Sequence, residues 1–289
     1  MKLKFYCPWW GSEHLCWDDF LSAVKQAGYD GIEYAIANDS SRAKLEGVWE
    51  KLEQYGLEAI PQHYGTYDAD FAKHFDTYAA WLELVKPLPA PKIDSQTGKD
   101  FFSFEQNKQL VDLAVAHTQS SGVDVFHETH RNKFAFAAHI TKEYLQKIPY
   151  LKLTLDASHW VNVAESYLDD QPEAMALAIS RTEHIHARVG YPEGPQVPDP
   201  RVPEWQEAVE KHLAWWDKVV ARKRAEKATS FTITPEFGPY PYMVSLPFTR
   251  QPITSQWEVN KYMMDMLRER YQDVRVATSS RSASEIIEG

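Results

Sequence analysis

Apolar and polar positions follow two alternating rhythms along this chain. Short apolar runs, rich in β-branched and aromatic residues, occur at residues 2–10, 29–36, 57–65, 89–98, 123–131, 151–159, 182–190 and 231–239. Between them lie longer stretches whose apolar positions recur every three or four residues, the period of a helix with one buried face. Three of these show their ends. "DDFLSAVKQAG" offers Asp18 or Asp19 as a cap and runs into Gly28. "SRAKLEGVWEKLEQYG" stops at Gly56, and "WQEAVEKHLAWWDKVVARKRAEKA" starts past Pro203 and closes on a basic turn, which suits the negative end of a helix dipole. Strand followed by helix, eight times within 289 residues, predicts parallel βαβ units closing into a single (β/α)8 TIM barrel of the α/β class. The fourth strand, "PAPKIDSQTG", is the least typical, because proline cannot donate to a ladder. An open doubly wound sheet is the alternative. It would carry a glycine-rich phosphate loop after the first strand, and "CPWWGSEHL" is not one. The barrel is assigned to residues 1–275, with residues 276–289 as a C-terminal tail.

Composition narrows the function classes. At 44% hydrophobic and 25% charged, the chain is ordinary for a globular domain. It has no run of about 18 apolar residues, so no membrane span is expected. The start lacks an apolar signal core, and the two cysteines, Cys7 and Cys16, are no disulfide framework, so a reduced cytoplasmic protein is expected. A net charge of −10 argues against a nucleic-acid groove.

The strand ends carry the chemistry. In a barrel of this kind, function gathers at the C-terminal ends of the strands. Four consecutive strands end in groups able to hold a metal: "HETHR" with His127, Glu128 and His130; "LTLDASHW" with Asp156 and His159; "HIH" with His184 and His186 on one face; and "TPEFGP" with Glu236. Each has a plain alternative. A strand-end aspartate is more often a helix cap, a lone histidine more often a satisfied core residue, and Glu236 could be a surface acid. Together the four strands change the balance, because buried carboxylates converging on one point are costly unless a cation joins them.

This order of residues resembles the sugar phosphate isomerase and epimerase superfamily, the xylose isomerase-like barrels. These carry Glu on strand five, Asp-x-x-His on strand six, His on strand seven and Glu on strand eight. Ketose 3-epimerases, inosose dehydratases and hydroxypyruvate isomerases belong to it. The resemblance implies Glu128, Asp156, His186 and Glu236 as ligands of one divalent metal, with His186 preferred as the second histidine of its pair. It also implies Glu128 and Glu236 as the base and acid of an enediolate reaction, and His159 as a substrate contact. Three carboxylates and one imidazole favour Mn²⁺ or Mg²⁺, with Co²⁺ or Zn²⁺ as alternatives. Arg188 or Arg201 would steady negative charge on the substrate. Trp10, His63 and Lys99 are further candidate contacts, on strand-end loops rich in aromatic residues and proline. The alternative for the aromatic loops is packing, or contact with another copy in a homo-oligomer. Apurinic-site endonucleases of the same superfamily need more ligands than this chain supplies. It has His63 on strand three, but "DSQTG" on strand four and "DPR" after strand seven. The expected activity is therefore metal-dependent isomerisation or epimerisation of a ketose or related polyol, as a free sugar or a sugar phosphate. A dehydratase on the same site and a non-catalytic sugar-binding barrel are the alternatives.

Overall fold

Eight parallel strands close into a barrel in the computed structural model, which describes residues 1–272. The strands are β1 (Lys2–Pro8), β2 (Gly31–Ala35), β3 (Glu58–His63), β4 (Ile93–Ser95), β5 (Val125–Glu128), β6 (Leu153–Leu155), β7 (Thr182–His186) and β8 (Ser230–Thr234). They neighbour one another in chain order, and β8 returns to β1 through pairs such as Lys4 with Thr232. The helices are α1 (Trp17–Ala27), α2 (Arg42–Tyr55), α3 (Phe71–Val85), α4 (Phe104–Ser121), α5 (Ala138–Lys147), α6 (Ala157–Ala164), α7 (Pro172–Arg181), α8 (Gln206–Ala225) and α9 (Gln256–Arg270). No helix among the described residues is long and apolar enough to cross a membrane. The expected tail, residues 276–289, lies outside the described residues.

All eight expected strands are present, but shorter than the apolar runs that announced them. β4 has three residues, and the prolines at 87, 89 and 91 all precede it. The run at 151–159 yields a strand only to Leu155. Asp156 then caps α6, accepting from Ser158 N at 3.0 Å, and His159 belongs to that helix. The expected cap of α1 needs correction. Cys16 holds that position, its Sγ accepting from Asp19 N at 3.5 Å, while Asp18 and Asp19 lie in the first turn, where the dipole favours acids. Gly28 and Gly56 end α1 and α2 in the left-handed conformation, as their spacing predicts. The helix after Pro203 begins as a single 3₁₀ turn, Pro203–Trp205, before α8.

The sheet has two unlike faces. Outward-pointing Phe5, Ile32, Ala59, Ile93, Val125, Leu153, Leu155, Ile185, Phe231 and Ile233 form one apolar core with the inner faces of the helices. Burying a large apolar side chain there contributes about 1.5–3 kcal/mol. Trp81 and Trp160, both fully buried, also satisfy their indole N–H groups, on Ile36 O at 3.0 Å and Ala135 O at 2.9 Å. Trp160 thereby ties α6 to the β5–α5 connection and fixes the helix that starts at Asp156. The inward face is polar. Strand register sets Glu33, Gln62, Asp94, Glu128, Thr154, His184, His186, Thr232 and Thr234 toward the lumen.

Candidate metal and substrate site

The upper end of the lumen brings the four expected ligands together. Glu128 ends β5, Asp156 follows β6, His186 ends β7 and Glu236 lies two residues past β8. One ligand atom from each falls within 4.8 Å of the others, and all four residues are buried. His186 Nδ1 lies 3.0 Å from Glu236 Oε2 and 3.4 Å from Glu128 Oε1. No aligned hydrogen bond satisfies His186 Nδ1, Glu236 Oε2 or either oxygen of Glu128. Buried polar atoms are nearly always paired, so unsatisfied lone pairs converging on one point need a reason. A hard divalent cation fits this donor set. Burial disfavours charge on His186, but Glu236, Glu33, Glu128 and Asp94 outweigh it and hold the imidazole well above its usual range. Like burial and like charge raise Asp94, with Glu128 as its principal neighbour.

Neighbouring groups orient these donors. Glu33, on β2, receives His186 Nε2 at 3.0 Å and His184 Nε2 at 3.4 Å. A carboxylate on the far nitrogen leaves Nδ1 free to face the cluster, the usual arrangement behind a metal-bound histidine. His184 itself sits one layer lower, with Nδ1 2.7 Å from Thr232 Oγ1. Gln62 donates to Glu236 Oε1 at 3.1 Å. Arg188, 1% exposed, donates to Asp156 and lies 3.5 Å from Glu236 Oε2. It also donates to His159 Nε2 at 2.8 Å, which makes Nδ1 the protonated nitrogen of His159, because a guanidinium cannot accept. Burial comes first in lowering His159, followed by the charges of His130, Arg188 and Arg131. Asp156 therefore combines both roles raised for it, as cap of α6 and as member of the cluster.

A cavity of about 590 Å³ opens above the cluster, lined by Trp9, Trp10, Tyr64, Tyr67, Arg188, Glu236 and Tyr242, among others. Trp10 packs so closely on Gly238 that a Cβ there would fall 2.2 Å from its ring. It also meets Tyr242 edge-on at 5.2 Å. The other expected contacts fall elsewhere. His63 is fully buried in the barrel wall, bonded to Thr66 at 2.8 Å and Ser95 at 3.3 Å, and is no part of the cavity lining. Arg201 is a correction too. It pairs with Asp199 at 2.5 Å and lines a shallow outer groove with Glu258 and Tyr262, because the loop after β7 carries it off the barrel mouth. Lys99 is buried beside Tyr67, next to the cavity but behind its lining.

Three contributors escaped the sequence reading: Glu33, Gln62 and Asp94. A signal existed for Glu33, as the one charged residue in the apolar run "GIEYAI" of a strand buried on both faces. Tyr242 lies in the aromatic- and proline-rich loop after β8, "PYPYMVSLPFTRQP", a kind of segment expected to shape the pocket.

No family model matches the chain, and no curated protein matches it. Solved structures do. D-psicose 3-epimerase from Clostridium cellulolyticum H10 is 14% identical, with 93% of this chain and 99% of that one covered at a TM-score of 0.58. A probable 3-DHS dehydratase from Bacillus anthracis is 17% identical, covering 93% and 100% at 0.56. A sugar phosphate isomerase/epimerase from Parabacteroides distasonis is 10% identical, covering 92% and 93% at 0.56. The chain thus shares the closed eight-stranded barrel fold of these structures. At these identities the likeness is one of architecture.

Proposed function

We propose that the protein is a divalent-metal-dependent isomerase or epimerase of a sugar, a ketose or related polyol, acting through an enediolate. The observation that carries this reading is the convergence of buried Glu128, Asp156, His186 and Glu236, with Glu128, His186 Nδ1 and Glu236 Oε2 left without an aligned hydrogen bond, beneath an aromatic-lined cavity that Glu236 reaches. A cation held by these four, Mn²⁺ or Mg²⁺, would supply Lewis acidity beside the substrate carbonyl and so acidify the adjacent C–H. Glu236 lines the cavity and is steadied by Gln62, so it takes that proton. Glu128 lies deeper, on a different strand, and returns a proton to the enediolate. Delivery to the same carbon from the other face gives an epimer; delivery to the neighbouring carbon gives the isomer. Arg188 and the Nδ1–H of His159 meet negative charge as it grows on the substrate oxygens. The rims of Trp10 and Tyr242 suit the C–H face of a sugar ring.

Elimination begins with the same proton abstraction, and a dehydratase shares the fold. Ketoses, ketose phosphates and inososes incubated in D₂O with Mn²⁺ separate the readings. Exchange of a substrate C–H without loss of water supports the isomerase or epimerase. An absorbing, dehydrated product identifies a lyase, and binding without exchange a non-catalytic barrel.

A further inference from the structure

A buried ammonium group has no hydrogen-bond partner in this structure. Lys133 is 2% exposed, and its Nζ meets no acceptor among the described residues. It lies 5.3 Å from the centroid of the Tyr67 ring, and Lys99 Nζ lies 5.4 Å from the same centroid. Lys99 is itself 5% exposed, with one long contact, 3.4 Å, to Asn132 Oδ1. Two lysines are thus drawn inside the protein on one tyrosine.

Their position relates them to the cavity. Tyr67, Gln96 and His130 line it. Lys99 follows Gln96 on the loop after β4, and Lys133 ends the turn after β5, its N–H bonded to His130 O at 3.2 Å. Burial and the charge of Lys99 lower Lys133 to about 8, and Glu128, in the cluster below, acts in the other direction. Lys133 therefore stands between the cluster and the aromatic rim. Ammonium groups do not gather unpaired in an interior without a counter-charge. The chain as a whole carries −10, so its general field repels anions and only a local feature would attract one.

We propose that Lys99 and Lys133 form an anion subsite on the β4–β5 side of the cavity, and that the substrate carries a fixed negative group, phosphate or carboxylate, at the end remote from its reacting carbonyl. This rests on the proposed sugar chemistry for the remote end, but not for the subsite itself. Tyr67, 60% exposed, covers the two ammonium groups on the solvent side and moves aside or stacks as the anion enters.

Calorimetric titration of the full-length protein with inorganic phosphate and with acetate tests the subsite, with EDTA and again with Mn²⁺, so that binding to metal is separated. Phosphate or acetate should bind the unaltered protein. The stronger of the two names the group. Lys133→Met and Lys99→Met should each weaken that binding about tenfold or more, while Lys133→Arg restores most of it. Thermal melts confirm that the variants fold, and either methionine variant alone suffices. No binding to the unaltered protein, or equal affinity in the folded methionine variants, overturns the subsite. In the D₂O assay, fructose 6-phosphate and fructuronate are compared with fructose. The expected preference for an anionic substrate should collapse about tenfold in Lys133→Met. Exchange of fructose as fast as its anionic counterparts overturns the substrate class and leaves the sugar chemistry standing. Phosphate binding that depends on Lys133, with no metal bound and no exchange, does the reverse.

Discussion

The two ends of the barrel lumen are built from similar residues and behave differently. At the lower end, Glu58 is held by Lys4 at 2.5 Å and by Tyr6 Oη at 2.5 Å, and Lys92 donates to Glu183 O at 2.8 Å while lying over the Phe126 ring. Each of these charges has a local partner. At the upper end, Glu128, Asp94, His186 Nδ1 and Glu236 Oε2 are buried without an aligned hydrogen bond, and one imidazole faces all three carboxylates. Polar residues inside a barrel are therefore no sign of function by themselves. The informative feature is polarity left unsatisfied, because a folded protein rarely tolerates it where nothing binds.

That contrast makes graded predictions. Glu236→Gln should cost the most, a loss of about 10³-fold in C–H exchange, since it removes a proton-transfer group but keeps its shape. Mass-spectrometric deuterium uptake measures it, and activity near the unaltered level would remove Glu236 from the proton work. Next come two changes of about 10²-fold. Asp156→Asn should weaken Mn²⁺ binding by that order; the helix cap survives in the amide, and any fall in melting temperature reports the charge lost opposite buried Arg188. Equal metal affinity in calorimetry would reduce Asp156 to a cap. His159→Ala should keep the metal and lose turnover, as expected of a group that acts on developing charge. Full turnover on the true substrate would make it a structural histidine.

Glu33→Gln follows, at roughly 10- to 100-fold in metal affinity, the usual effect of losing the partner behind a ligating histidine. An unchanged affinity would place Glu33 with the satisfied residues of the lower end. Smallest is Glu58→Ala. It breaks the lower, paired region at a cost of about 1 kcal/mol in denaturant unfolding, because the pair is partly exposed. Metal affinity should not change. Loss of metal binding there would erase the distinction between the two ends.

The sequence by itself determined the barrel, through eight apolar runs and the helical spacing between them, and it marked four strand ends whose polar groups the fold brings together. Both are local, periodic signals. A strand's alternation sets which residues share a face, so Glu128, His186 and Glu236 could be placed on strand ends without knowing their neighbours. Asp156 was legible twice, as cap and as cluster member, because a short helix starts directly at the end of β6. Only the tertiary structure decided what each strand end meets. Closure of β8 on β1 makes β2 and β7 face each other across the lumen, which brings Glu33 to His186 over 153 residues of chain. Direct pairing of β6 with β7 puts Arg188 against Asp156, while the same connection after β7 carries Arg201 outside. Long loops made the difference for Tyr242, Lys99 and Lys133. Their course depends on packing among several βα connections at once, and no periodicity in one segment encodes such a meeting.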